Sequence, residues 1–147
     1  MEYTMNSLNN ALFLSTVSAA LLFVAPFAQA EKVKFSTDLT SAAVVPPTDS
    51  QAKGSAEVTV DTDAKKVDWT VKIDGLTGEA TAAHIHGPAS EKEQAPPVID
   101  MSTNIMQGSA DITPEQWEAL KDGKYYINIH TAKFPDGEVR GQLKAAK

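Results

Sequence analysis

The chain has 147 residues, with 19 Asp and Glu against 13 Lys and Arg, three His and no Cys, and carries a net charge of −6. The acidic excess disfavours nucleic acid and anionic membrane surfaces as partners. The absence of cysteine excludes a disulfide framework and a lipid-anchored lipoprotein, so stability must come from a packed core.

The first element in chain order is an address rather than a fold. No charged residue lies between Tyr3 and Ala30, and the run "ALFLSTVSAALLFVAPFA" from Ala11 to Ala28 is almost wholly apolar. It ends in Ala28-Gln29-Ala30, a small-x-small cleavage pattern, and polar sequence begins at Glu31. Residues 1–30 therefore read as a secretory signal peptide cut after Ala30, although its start carries no Lys or Arg. The apolar run is near the lower limit for a membrane span, and Pro26 with the cleavage pattern favours removal over anchoring. The expected mature chain, residues 31–147, has the length of one domain. It loses one charge, Glu2, which leaves −5. Its expected location is the periplasm or the outside of the cell, with no membrane attachment after cleavage.

From there, period-2 alternation dominates. "VKFSTDL" puts Val33, Phe35 and Leu39 on one face, and "AEVTVD" puts Ala56, Val58 and Val60 inward. "KVDWTVKID" is the clearest strand, with Val67, Trp69, Val71 and Ile73 inward and Asp68, Thr70, Lys72 and Asp74 outward. "DTDAK" between the last two reads as a hairpin turn capped by Asp. Further strands are expected at "TAAHIH", "PVID", "GSADI", "YYINIHT" and "EVRGQLK". The charged, Pro-flanked segment Pro88 to Pro97 reads as a mobile surface loop, and Ser41 to Gly54 as the other long connection. "TPEQWEALKDG" breaks the pattern. Thr113 as N-cap, Pro114 at N1 and Gln116 at N3 form a capping box, so a two-turn helix near residues 114–121 is predicted, packed by Trp117 and ended by Gly123. The sum is an all-β, antiparallel, Greek-key-like β-sandwich of about eight strands with one short helix.

All three histidines fall in two of the strands. Alternation places the isoleucines and valines of each strand on the core side, so His84 and His86 share the outer face of one strand. His130 takes the outer face of "YYINIHT" with Tyr126 and Asn128. "AKFPDG" joins that strand to the next as a hairpin, whose outer face carries Glu138, Arg140 and Gln142. If the His84–His86 strand lies beside them, one outer face gathers three imidazoles. His84, His86 and His130 could then ligate copper or zinc, with Asn128, Glu138 and Arg140 around them as orienting neighbours. The competing reading is purely structural: solvated or hydrogen-bonding imidazoles that tie down the following loops.

Arg140 is the single arginine beside twelve lysines. Its planar fork suits an anion, or a cross-strand bridge to an acidic neighbour, which is the favoured reading. Met101 and Met106 read as gap-filling core residues rather than copper(I) ligands. No nucleophile elbow and no phosphate-binding glycine loop is present, so no catalytic residue is assigned.

"VVPP" at Val44 to Pro47, "AKGSAEV", "GLTGEATAAHIHGPA" and "GKYYINIHTAKFPDGEVRGQL" together resemble the CHRD domain, the chordin-type module found as a single exported domain in bacteria. The resemblance covers nearly all of residues 31–147. The family usually carries Glu before its Val-Pro-Pro, where Val44 stands here. Relatives of this type accompany growth-factor-binding modules, and no enzymatic activity is established for the family. The His-x-His strand is also similar to the copper-ligand strand of Cu/Zn superoxide dismutases, but that site's bridging histidine, zinc loop and disulfide have no counterpart. The leading expectation is an exported β-sandwich that binds a transition metal, copper first, through the three histidines. The rival is a metal-free module for a protein or polysaccharide ligand, and a dismutase-like redox enzyme stands third.

Overall fold

The computed structural model describes residues 31–146, and the signal peptide expected at residues 1–30 lies outside the described residues. Among the described residues, nine strands and one α-helix follow one another: β1 (Lys32–Thr40), β2 (Lys53–Asp61), β3 (Lys66–Asp74), β4 (Ala80–His86), β5 (Pro97–Asp100), β6 (Gln107–Asp111), α1 (Pro114–Lys121), β7 (Tyr126–Thr131), β8 (Val139–Gln142) and β9 (Lys144–Ala145). They form one continuous antiparallel sheet in the order β5-β4-β7-β8-β1-β2-β3-β6, with the short β9 beside β1. The expected sandwich is thus a single sheet wrapped almost into a barrel, and the connections β3→β4 and β6→β7 cross from one half to the other in a Greek-key-like manner.

The inward residues are those that alternation selects. Phe35, Leu39, Ala56, Val58, Val60, Val67, Trp69 and Val71 from β1–β3 meet Ile85 from β4 and Ile127, Ile129 and Val139 from β7 and β8 in one cluster. The β2–β3 turn is held as its sequence implies, with the backbone N–H of Ala64 donating to Asp61 Oδ1 at 2.8 Å. Met101 is in the core as expected, whereas Met106 is 49 % exposed and fills no gap.

α1 has the predicted bounds and its reciprocal capping box. Thr113 Oγ1 accepts from the Gln116 backbone, and Gln116 Oε1 accepts from the Thr113 backbone. Gly123, at φ +68°, turns the chain just past the helix end. Leu120 is buried, and Trp117 meets Phe35 edge-on with ring centroids 5.9 Å apart. Gln116 Nε2 also donates to the carbonyl of Val98 on β5. The helix that follows β6 thus touches β5 through this bond and β1 through Trp117.

Candidate metal centre

β4 and β7 are neighbours, which is the condition the histidine pattern required. Their register sets His84 opposite Asn128, His86 opposite Tyr126 and His130 opposite Ala82. The small Ala82 side chain leaves the His130 ring free to lean toward β4. One ring nitrogen from each of the three histidines falls within a set spanning at most 4.8 Å. His84 Nδ1 and His130 Nε2 are 3.4 Å apart. Metal–nitrogen bonds of ~2.0–2.1 Å at tetrahedral angles require nitrogens about 3.3–3.4 Å apart. The closest pair already has the spacing of two ligands on one ion.

The opposite edges of the rings are anchored. His86 Nδ1 lies 2.9 Å from the Ala95 carbonyl and His130 Nδ1 lies 2.9 Å from the Pro135 carbonyl. A carbonyl only accepts, so both Nδ1 atoms carry the proton and both Nε2 atoms present a lone pair. His86 Nε2 is buried and has no hydrogen-bond partner among the described residues. Asp100 Oδ1 stands 3.9 Å from His84 Nε2, held on that side by the Ser102 backbone N–H. Rings fixed by an outer acceptor with an inner lone pair free are the pattern of metal-ligating histidine.

Burial holds His86 and His130 below the usual imidazole pKa. The neighbouring His84 adds to the depression in both, while the Ala95 and Pro135 carbonyls oppose it. Both rings are therefore neutral at neutral pH, the form that coordinates.

The outer face is not the solvated surface that alternation alone implies. His86 is only 8 % exposed, and Asn128, Arg140 and Gln142 are buried beside it. The covering is the loop of residues 87–96. It is exposed on its outside, as expected, but fastened underneath by many bonds, contrary to the mobility read from its composition. Arg140 donates to the carbonyls of Glu93 and Ser90 at 2.8 and 2.9 Å, Gln142 Nε2 to that of Ala89 at 2.9 Å, and the Ala95 N–H to Tyr126 Oη at 3.0 Å. Gly87 begins this loop at φ +149°, where a Cβ would collide with the Tyr125 ring.

Arg140 is thus not the bridge to an acidic neighbour that the sequence suggested, because its fork is taken up by loop carbonyls. Its guanidinium carbon lies 3.5 Å from the centre of the Tyr126 ring. His86 stacks on the same ring, 4.9 Å between centroids at 4°. β7 lies between β4 and β8, so Tyr126 is held between an imidazole on one side and a guanidinium on the other. Tyr126 was visible in the sequence only as a face-mate of Asn128 and His130, and its role in fixing His86 depends on this stacking.

Asn128 lies among the imidazoles, its Nδ2 donating to the Asp136 carbonyl at 3.1 Å. Glu138 does not orient them. Its carboxylate accepts from Ser50 Oγ at 2.6 Å, Thr131 Oγ1 at 2.6 Å, and the Thr77 N–H and Oγ1, both at 2.9 Å. It joins the 48–52 and 75–77 loops to the barrel.

The family model described as CHRD domain matches residues 35–143, a span that includes most of β1, all of β2 through β8 and all three histidines. No curated protein and no solved structure matches the chain.

Proposed function

We propose that this chain, which belongs to the CHRD domain family over residues 35–143, is an exported protein that binds one transition-metal ion, copper in preference to zinc, through His84, His86 and His130. One observation carries the reading: one ring nitrogen from each of the three histidines lies within 4.8 Å of the others, and carbonyls hold Nδ1 of two of the rings. Imidazole nitrogens suit both zinc and copper, and the general order of divalent affinities favours copper(II). With two rings neutral and all three carried on paired strands, little has to be deprotonated or reorganised on binding. The competing arrangement places a proton on His84 Nδ1, directed at His130 Nε2, and uses no ion.

The test is calorimetric titration of apoprotein with copper(II) and zinc(II), beside His84→Ala, His86→Ala and His130→Ala. A one-to-one site, tighter for copper and lost in each variant, supports the reading. Equal behaviour of wild type and variants sinks it.

A second reading, a module for a protein or polysaccharide chain, has its own observation in an open groove of about 900 Å³. The groove runs along the outer side of β1 and β8 between Val45, Glu57, Lys92 and Lys144. It becomes the leading account if the titration is flat.

A further inference from the structure

Beside the histidines lies a cavity of about 190 Å³, lined among others by Val44, His86, Tyr126, Asn128, His130 and Arg140. Two of its lining residues carry a buried polar atom without a hydrogen-bond partner among the described residues, His86 Nε2 and Asn128 Oδ1. An unsatisfied buried acceptor costs about 1–3 kcal/mol, and groups of this kind call for an explanation such as a bound water, ion or ligand. The metal reading accounts for His86 Nε2. It leaves Asn128 Oδ1 unexplained.

The orientation of that amide is fixed. Its Nδ2 donates to the Asp136 carbonyl, which can only accept, so the atom left without a partner is the oxygen. The turn is built to hold it there. Gly137, at φ +122°, lies directly against the amide, where a Cβ would collide with it. Asn128 is 6 % exposed, so solvent at the surface does not satisfy the oxygen. The group it lacks is a hydrogen-bond donor, and a bare metal ion on three imidazoles supplies none.

Resting on the metal reading, we infer that the three-histidine site keeps a coordination position open toward this cavity, and that the position takes a small exchangeable ligand with an O–H or N–H that Asn128 Oδ1 accepts. Size limits the ligand. A water takes about 30 Å³ of liquid volume, whereas organic ligands of drug size need pockets of roughly 300–1,000 Å³. The cavity therefore admits water and ligands of a few atoms and excludes larger organic molecules. Arg140 lines the cavity with no salt-bridge partner among the described residues, and Asp136 lines it as well, so the lining carries charge of both signs.

The experiment uses the full-length mature chain saturated with copper(II). Longitudinal relaxation of water protons reads whether an exchangeable ligand reaches the ion, and azide, which carries no proton to donate, competes for the position in optical and EPR titrations. Wild type should enhance water relaxation and lose the enhancement as azide binds. Asn128→Leu removes the acceptor that favours the protic ligand, so azide should bind about tenfold tighter, the scale of one hydrogen bond. If that variant does not fold, Asn128→Asp replaces it. Its added negative charge should make azide bind more weakly than to wild type. Bound copper with neither relaxation enhancement nor an azide response would mean a closed site and would overturn the inference while leaving the metal reading intact. An open site with azide affinity unchanged in the Asn128 variants would overturn the assignment to Asn128. Failure of wild type to bind copper at all removes the metal reading, and this inference with it.

Discussion

His84 Nδ1 and His130 Nε2 face each other at 3.4 Å across two paired strands, 46 residues apart in the chain. Neither strand brings them together alone. The β4–β7 register and the short side chain of Ala82 do, and His86 completes the set from two residues along β4. This placement underlies most of the predictions below.

Acid should destabilise the apoprotein through two of these rings. Burial depresses the folded-state pKa of His86 and His130 below the ordinary imidazole value of ~6.5. Between that value and the depressed one, the unfolded chain binds more protons than the folded one, so stability falls as pH falls. The contribution is complete above ~6.5 and is lost as pH drops through the folded values. The melting temperature of apoprotein should decline across this window, and the decline should flatten in a His86→Gln, His130→Gln double variant. A profile of equal slope in the two proteins would refute the assignment.

Bound copper should reverse part of that loss. At free copper one hundred times the dissociation constant, mass action adds about 2.7 kcal/mol to stability. For a domain of this size that corresponds to a rise in melting temperature of about 10 °C. Differential scanning fluorimetry with and without chelator reads it, and the rise should be absent in His130→Ala.

Glu138→Gln separates the fold from the site. Four donors converge on this fully buried carboxylate. Burial alone would push its pKa up, but the hydrogen bonds from Ser50, Thr131 and Thr77 outweigh it and hold the carboxyl below its usual value. An amide cannot accept from all four donors and adds two N–H groups of its own. The variant should lose roughly 1.5–3 kcal/mol in urea unfolding, with copper affinity unchanged. A loss of copper binding in folded Glu138→Gln would restore it as a neighbour of the metal.

Trp69 should be the costliest single core truncation on β3. It is 4 % exposed, its Nε1–H donates to the Asn104 carbonyl at 2.9 Å, and Gly108 of β6 lies flat against its indole. Trp69→Ala should cost ~3–5 kcal/mol, a large part of a typical domain's stability. Chemical denaturation measures it, and a loss under 1 kcal/mol would contradict the packing described here.

Export is a separate expectation, resting on the sequence of residues 1–30. Protein recovered from outside the cytoplasm should begin at Glu31, as read by N-terminal sequencing or intact mass. A product retaining Phe23 or Phe27 would mean an uncleaved anchor.

Much of the barrel was legible because its information is local. Alternation of two residues picked the inward face of β1, β2 and β3, and Thr113, Pro114 and Gln116 marked the helix within a single turn. The outward placement of the three histidines followed from the same rule. What the rule could not give is what covers that face. Arg140 finds its partners 47 and 50 residues away in loop carbonyls, and Glu138 finds Ser50 and Thr77 at separations of 88 and 61. Backbone carbonyls carry no residue identity, so nothing in the sequence of the 87–96 loop distinguishes a fastened roof from a mobile one. The same holds for Ala95 and Pro135, whose carbonyls set the proton positions on His86 and His130.

X-ray absorption at the copper edge of the loaded protein tests the central claim most directly, because imidazole rings leave a multiple-scattering signature that carboxylates and backbone amides lack. The account predicts one copper per chain with three imidazole nitrogens at ~2.0 Å, falling to two imidazoles in any copper retained by His84→Ala. Copper bound with fewer than three imidazoles in wild type, or with a spectrum unchanged by His84→Ala, would contradict it.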